Sequence, residues 1–273
     1  MQGVTVHDIL NYLSELFDKG SSFSHIKAVK AAIGQEVILE PFSKIGDHPL
    51  IKKFMTGLFN LRPPQQKTSF VWDVKVLFDY FKNLPTNAQL LDRDLTHKLV
   101  MLLLILGGQR VNTILNFHVN YMVVNDIGVT FAPHRVLKHS KKNTKLDTFQ
   151  YRNYVHDEKL CVVNCLRTYL DRRKNKVSDG ITSLLITYKK PYRAATSDTI
   201  RRWVKTTLNL AGIYDFSAHS CRSASTSKAK ALNIDMDVIL RKACWKSEET
   251  FRIYYEKDIC RDSTEDRFNK LLE

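Results

Sequence analysis

The chain has 273 residues, 44% of them hydrophobic, which is enough to bury the core of one large domain or of two smaller ones. Lys and Arg outnumber Asp and Glu by 42 to 28, and the resulting net charge of +14 favours a polyanionic partner, either nucleic acid or an anionic membrane. The longest apolar run, Leu99–Leu106, is far shorter than the ~20 residues that span a bilayer, and the N-terminus lacks the pattern of a secretory signal, so nucleic acid is the better candidate.

The first sixty residues show three helical patterns. Apolar residues recur at helical spacing from Ile9 to Phe17, and Thr5 with Asp8 matches a capping box. A second helix is expected with Ser24 as its cap, and a third from about Pro49 to Phe59. Three or four short helices with basic outer faces would form a small domain of about 60 residues.

Two adjacent prolines, Pro63 and Pro64, interrupt the helical pattern and favour an extended segment. The sequence therefore predicts a helical domain over residues 1–62, a linker over 63–67 and a larger domain over 68–273.

The larger domain combines helices with one short stretch of strands. Between Tyr121 and Val155 the apolar period changes from 3.6 toward 2, which predicts the strands Met122–Val124, Val129–Phe131 and Thr148–Val155. The predicted fold class is mainly α with a small antiparallel β-sheet. Helices are expected around Val74–Phe81, from Asp94 to Gly107-Gly108, from Arg110 to about Phe117, and over Leu160–Arg172, Asp198–Leu210, Ser223–Leu232, Met236–Ala243 and Ser247–Tyr255.

The cysteines give no sign of a metal site or a disulfide framework. Five is an odd number, and no two form a CxxC pair. Cys161 and Cys165 are one helical turn apart, but a metal would need further ligands at suitable spacing. We expect reduced thiols in an intracellular protein.

Residues that suit a phosphate stand at separate points of the larger domain. His219 and Arg222 share a face at the start of a helix, where free N–H groups and the helix dipole favour an anion. Another arginine, Arg110, follows the helix break at Gly107-Gly108. A lysine, Lys138, lies between two predicted strands. After these come Trp245 and the pair Tyr254-Tyr255.

This order of Arg, Lys, His, Arg, Trp and Tyr resembles the tyrosine recombinase (phage integrase) family. The chain looks most similar to the recombinases of DIRS-type and Ngaro-type eukaryotic retroelements. The stretches that carry this second resemblance cover nearly the whole chain: His48-Pro49-Leu50, 59–64, 98–103, Gly108-Gln109-Arg110, 160–163, 198–205, Ala211-Gly212-Ile213, 219–227 and 255–259.

The resemblance implies a SAM-like helical DNA-binding domain followed by an integrase-type catalytic domain, the two closing around double-stranded DNA as a C-shaped clamp. It also implies tetramers on DNA, a mobile genetic element and a nuclear location. The C-terminal tail, with Phe268, Leu271 and Leu272, is either a solvated end or a contact with a neighbouring protomer.

The nucleophile that the resemblance implies is a tyrosine, which attacks a DNA phosphate to give a 3′-phosphotyrosine. A phenol has a pKa of about 10, so it needs a base and nearby cations. The bacterial spacing of nine residues after Trp245 selects Tyr254, whereas the retroelement spacing of ten selects Tyr255, followed by Lys257. We prefer Tyr255.

The other roles follow from the same resemblance. Arg110 and Arg222 would clamp the non-bridging oxygens of the phosphate, and Lys138 would protonate the leaving 5′-oxygen. His219 would act as general base or as a hydrogen-bond partner of the phosphate, and Trp245 would pack against the site. Such chemistry keeps the phosphoester bond energy and requires neither ATP, a metal nor another cofactor.

Three positions depart from the family pattern. Thr113 stands where bacterial integrases usually carry an acid, Cys221 where the retroelement branch has Thr, and Cys244 where a Gly usually precedes the Trp. None of them removes a reacting group. The glycine-to-cysteine change puts the turn that presents Trp245 in question.

Two rival functions and one set of residues stay open. The chain could be a non-catalytic DNA-binding protein descended from a recombinase, or a type IB topoisomerase-like relaxing enzyme. The basic clusters fit either solvated surfaces or phosphate contacts, and the first of them also fits a nuclear import signal. These clusters are Arg172-Arg173-Lys174 with Lys176, Lys189-Lys190 with Arg193, and Arg201-Arg202 with Lys205.

Overall fold

The computed structural model describes residues 4–39, 44–63, 70–132, 134, 148–177, 180–245 and 247–260. The chain divides into two compact units, Met1–Thr68 and Ser69–Glu273, and each has its own hydrophobic core. Residues 64–67 of the expected linker lie outside the described residues. Within the described ranges, no helix is long and apolar enough to cross a membrane.

In its described residues the first unit contains three α-helices, α1 (Val6–Asp18), α2 (Phe23–Glu36) and α3 (Pro49–Leu61), and a short 3₁₀ helix, Ile45–Asp47. The expected capping box is present at α1, where Thr5 and Asp8 exchange hydrogen bonds. The cap expected for α2 was wrong, because Ser24 is already inside the helix and Ser22 accepts the capping bond instead. The apolar faces enclose a small core of Ile9, Leu13, Ile26, Ile45, Ile51, Met55 and Leu58.

The second unit is built around one central helix, α5 (Asp92–Gly107), which begins two residues earlier than expected. Every residue from 95 to 105 is buried, because other helices and the sheet cover it on several sides. The remaining helices are α4 (Val74–Asn83), α6 (Val111–Leu115), α7 (Val162–Lys174), α8 (Ser197–Leu210), α9 (Ser220–Ala231), α10 (Met236–Ala243) and α11 (Glu248–Tyr254).

Two small sheets are present in the part of the second unit that the structure describes. Strands β2 (Met122–Val124), β3 (Gly128–Phe131) and β4 (Phe149–Arg152) form the expected antiparallel sheet in the order β2-β3-β4. The mostly helical fold with one small antiparallel sheet is therefore confirmed. The sequence did not predict the second sheet, in which β1 (Phe70–Trp72) pairs in parallel with β5 (Asp258–Cys260).

Candidate active site

The site begins at the end of α5, where the chain turns sharply. Gly108 adopts a left-handed conformation with φ of +60°, which glycine accepts without steric cost. Two residues later Arg110 is the N-cap of α6. The turn therefore ends the buried helix and brings a half-buried arginine to the edge of the core.

Arg222 lies in the first turns of α9, and its side chain is only 1% exposed. Its Nη1 donates to the carbonyl oxygen of Gly108 at 2.8 Å, and its Nη2 donates to the carbonyl oxygen of Ala243, at the end of α10. The guanidinium therefore ties the ends of two helices together. Burial, reinforced by the nearby Arg110 charge, lowers the pKa of Arg222 to about 10, so it remains a cation at neutral pH.

Two aromatic rings lie against this guanidinium. The Cζ atom of Arg222 is 4.4 Å from the ring centre of Trp245 and 5.3 Å from that of Tyr255. The two rings are themselves 4.5 Å apart. Trp245 Nε1 and Arg222 Nε are both buried and have no hydrogen-bond partner among the described residues. Each is a donor that a phosphate oxygen would satisfy.

The two candidate tyrosines occupy different environments. Tyr254, the last residue of α11, is 66% exposed, whereas Tyr255 is 7% exposed. The hydroxyl of Tyr255 accepts a hydrogen bond from Nη2 of Arg110 at 3.3 Å. Tyr255, unlike the exposed Tyr254, is thus buried with its hydroxyl bonded to Arg110 and its ring beside Arg222.

The backbone around Tyr255 is fixed from two directions. Ser227 Oγ donates to the Tyr255 carbonyl oxygen at 3.0 Å and accepts from the N–H of Lys257 at 3.1 Å. Immediately afterwards β5 pairs with β1, with Ile259 opposite Val71. Ser227 and Arg222 are both residues of α9, so this helix fixes the position of Tyr255 relative to Arg222.

His219 is the N-cap residue of α9, and its ring centre is 6.0 Å from that of Tyr255. The next residue, Ser220, is held by Trp72, whose Nε1 donates to Ser220 Oγ at 2.9 Å. Ser220 Oγ in turn donates to the carbonyl oxygen of Ser217 at 2.7 Å. These contacts set the start of α9 and hence the position of His219.

An open cleft of about 610 Å³ is lined by Arg110, His219 and Arg222, together with Arg201 and Lys205 from α8. Arg201 forms an ion pair with Asp198 at 2.7 Å. Lys205 donates to a backbone carbonyl oxygen at 3.3 Å. The cleft can therefore receive a polyanion, with a buried cation and a tyrosine hydroxyl beside it.

A protein-family comparison matches residues 76–260 to the model of the phage integrase family. The chain belongs to the phage integrase family. A comparison with curated protein sequences gives no match.

Solved structures of recombinases and integrases share the fold at low sequence identity. One is the XerH site-specific recombinase bound to a palindromic difH substrate, with a TM-score of 0.60, 13% identity, and coverage of 98% of this chain and 69% of that one. Another is the Tn1549 transposon integrase in complex with circular intermediate DNA, with a TM-score of 0.58, 10% identity, and coverage of 99% of this chain and 85% of that one. A third is a lambda integrase dimer bound to a core site, with a TM-score of 0.54, 14% identity, and coverage of 97% of this chain and 85% of that one. The second unit thus has the catalytic-domain fold of tyrosine recombinases.

Five of the six site residues expected from the resemblance to the phage integrase family meet at this site: Arg110, His219, Arg222, Trp245 and Tyr255. Lys138 lies outside the described residues, as do Lys141, Lys142 and Lys145, so its assignment stays a prediction. Within the described ranges, no three His, Cys, Asp or Glu side chains cluster as metal ligands would.

Sequence reasoning missed the side chains that hold the site from behind. Trp72, Gln109, Ser220 and Ser227 bind backbone or side-chain groups of the site. Gln109, Ser220 and Ser227 fall in stretches that carry the resemblance, but the sequence predicted no role for them, and Trp72 has no signal in the sequence. The bonds of Trp72 to Ser220, of Gln109 to Lys242 and of Ser227 to Tyr255 join segments far apart along the chain, so no local pattern reports them.

Arg172 and Arg173, in the basic cluster at the end of α7, stabilise the fold of the second unit. Arg172 donates to the carbonyl oxygens of Leu90 and Ala88, both at 2.6 Å, and pairs with Asp92 at 3.2 Å. Arg173 is 8% exposed, and donates to two carbonyl oxygens of the following loop. These two arginines are thus bonded to groups of the protein itself.

Proposed function

We propose that this protein is a site-specific DNA recombinase that cuts and rejoins DNA through a 3′-phosphotyrosine intermediate. The observation that carries the proposal is the Tyr255 hydroxyl, which is hydrogen-bonded to Arg110 and lies beside Arg222 and Trp245. Cations at this place stabilise both an attacking phenolate and the charge that develops on a phosphate in the transition state.

In the proposed step, the Tyr255 oxygen attacks the phosphorus, and the bond from phosphorus to the 5′-oxygen breaks. The phenolic proton passes to a base, for which His219 is the candidate. Lys138, outside the described residues, would donate a proton to the leaving 5′-oxygen. The new phosphotyrosine keeps the energy of the broken ester, and attack by another 5′-hydroxyl reverses the step and frees the tyrosine.

The two arginines suit complementary parts of this task. Arg222 is fixed by carbonyl oxygens at its two terminal nitrogens, which leaves its Nε edge and the neighbouring indole N–H for the phosphate. Arg110 is half-buried at the edge of the cleft, where its free surface faces an incoming strand. Donors that are already in place lower the barrier without reorganising during the reaction.

We propose double-stranded DNA as the partner, bound by a tetramer. The charge of +14 supports DNA binding, and similar folds include a lambda integrase tetramer bound to a Holliday junction. The stretches that resemble DIRS-type and Ngaro-type recombinases support a retroelement origin, and a nuclear site of action follows from it. A reverse transcriptase gene beside this one would support that origin.

The decisive experiment compares the two tyrosines on a nicked suicide substrate, from which the cut fragment diffuses away. Tyr255→Phe is expected to abolish covalent attachment while leaving DNA affinity unchanged, because it removes only the attacking oxygen. Tyr254→Phe is the matched control and is expected to retain attachment, since its ring is exposed. A DNA-linked peptide that maps to Tyr254 would overturn the assignment.

The same assay separates the rival functions. Binding without any adduct would identify a non-catalytic DNA-binding protein, and relaxation without strand exchange would identify a topoisomerase-like enzyme. Cleavage is expected to persist in excess EDTA, because Arg110 and Arg222 supply positive charge at the phosphate. An absolute magnesium requirement for the cleavage step would contradict that role.

A further inference from the structure

Gln109 lies between the left-handed Gly108 and the N-cap Arg110, and its side chain is 2% exposed. It borders the cleft that contains Arg110 and His219, and also a second cleft between β4 and α10. No step of the proposed reaction uses it. A buried amide at this place needs a separate explanation.

Its amide group bridges the same two turns that Arg222 bridges. Nε2 donates to the carbonyl oxygen of Gly107 at 2.8 Å and to that of Lys242 at 2.5 Å. Arg222 makes the parallel pair of bonds, to the next carbonyl of each turn, on Gly108 and Ala243. The turn that presents Arg110 is therefore joined to the turn that presents Trp245 by two adjacent side chains.

The orientation of the amide is fixed by these partners. Both are carbonyl oxygens, so the NH₂ group must face them, and Oε1 must face away. Oε1 is buried and has no partner within the described part of the chain. A buried acceptor without a partner opposes stability, so the bridge is better explained by the geometry it imposes than by the energy it adds.

We propose that Gln109 is a positioning residue for the cleavage reaction, which holds Arg110 in register with Trp245 and Tyr255. The inference rests on the proposed function. Reacting groups that are displaced by about 1 Å lose about 100-fold in rate, so the loss of this bridge is expected to affect the chemical step more than DNA affinity.

Gln109→Met tests this, because methionine keeps the length and volume of the side chain but has no N–H group. Cleavage of the suicide substrate per folded molecule is expected to be about 10- to 100-fold slower, with unchanged DNA affinity. The midpoint of thermal unfolding is expected to fall, because two carbonyl oxygens lose their donor. Gln150→Met is the matched control, since Gln150 is an exposed residue of β4 in the neighbouring cleft, and it is expected to cleave normally. A Gln109→Met protein that fails to fold, or loses stability and affinity together, would show a merely structural role.

Two further measurements isolate the route through Arg110. The double variant Arg110→Ala/Gln109→Met is expected to be no slower than Arg110→Ala alone. Once the Arg110 side chain is removed, losing the residue that positions it has no further effect on the rate. A methylphosphonate at the cleavage position lacks one charged oxygen and therefore depends less on Arg110. The cleavage rate of Gln109→Met relative to the unchanged protein is expected to be closer to normal on this substrate. Additive losses and an unchanged deficit would overturn the inference. If Arg110→Ala itself cleaves at the normal rate, the proposed function fails instead.

Discussion

Among the described residues, two regions of the second unit bury an arginine, and only one of them has the features of a reaction site. Between α5 and α7, Arg173 is 8% exposed and donates to the carbonyl oxygens of Ile181 and Ser183. At the candidate site, Arg222 is 1% exposed and also donates to two carbonyl oxygens. Each has a buried Nε with no partner among the described residues. Burial and an unpaired donor therefore do not distinguish the two.

What distinguishes them is the space beside each guanidinium and the groups that converge on it. The cavity next to Arg173 measures about 10 Å³ and is bordered by the carboxylate of Asp92. The cleft next to Arg222 measures about 610 Å³ and brings in a second arginine, Arg110. A cavity the size of one water molecule beside an acid cannot hold a phosphodiester, whereas an open basic cleft can.

The largest effect is expected from exchanging the type of cation in each region. Arg222→Lys is expected to reduce cleavage roughly 100- to 1000-fold, because an ammonium cannot replace a planar fork that holds two carbonyls and a phosphate at once. The measurement is single-turnover cleavage of a suicide substrate.

Arg173→Lys is the matched control for that experiment. It is expected to lower the thermal stability while each folded molecule cleaves at the normal rate, since this arginine supports only the loop after α7. Equal losses of cleavage rate in the two variants, measured per folded molecule, would remove the distinction between the regions.

The next effect concerns the pH dependence of stability in the α5 region. His97 is 4% exposed, contacts the rings of Tyr188 and Trp203, and has no hydrogen-bond partner for either nitrogen among the described residues. Burial, opposed in part by Asp94, lowers the pKa of His97 from 6.5 to about 4. The unfolded chain therefore takes up a proton in a pH range where the folded chain does not.

Stability from this histidine is present above pH 6.5 and is lost as the pH falls toward about 4. The loss amounts to about 3 kcal/mol in the free energy of unfolding. His97→Phe is expected to flatten this part of the pH profile, measured by denaturant titration from pH 7 to pH 4. His156→Phe, at an exposed position, is the control and is expected to keep the wild-type slope. An equal slope in both variants would contradict the assignment to His97.

The sequence predicted those parts of the fold that depend on local pattern. The capping box of Thr5 and Asp8 and the apolar period of the helices are local, and each predicted helix is present with shifts of a few residues at its ends. The parallel pairing of β1 with β5 was missed, because it joins three residues to three others at the far end of the chain. Strands this short have no period to detect.

The candidate site was predictable in its members but not in its geometry. The order of residues from Arg110 to Tyr255 selected the set, while the bacterial spacing after Trp245 pointed to Tyr254 and the retroelement spacing pointed to Tyr255, the preferred one. Exposure separates them, and exposure depends on how α11 packs. Likewise, the charge run at Arg172-Arg173 could not show that its guanidiniums point to carbonyl oxygens rather than to solvent.

The smallest effect is expected at Cys244, the departure from the family pattern next to Trp245. Its φ is +53°, a left-handed conformation that costs a residue with a Cβ atom about 1 kcal/mol and costs glycine little. The turn is held by the N–H of Trp245, which donates to the carbonyl oxygen of Leu240 at 2.9 Å. The cysteine thus keeps the turn that a glycine would form, but in a strained state.

Cys244→Gly is expected to raise the free energy of unfolding by about 0.5 to 1 kcal/mol, which corresponds to about 1–4 °C in the midpoint of thermal unfolding for a unit of this size. Cleavage is expected to stay at the wild-type rate, since the carbonyl oxygen of Ala243 that binds Arg222 keeps its place. Cys244→Ala is the matched control, because it removes the thiol but retains the Cβ atom and therefore the strain. If alanine stabilises the protein as much as glycine does, the thiol and not the backbone is the source of the cost. If glycine stabilises the protein but slows cleavage, the strained turn at Cys244 places Trp245 for the reaction at the expense of stability.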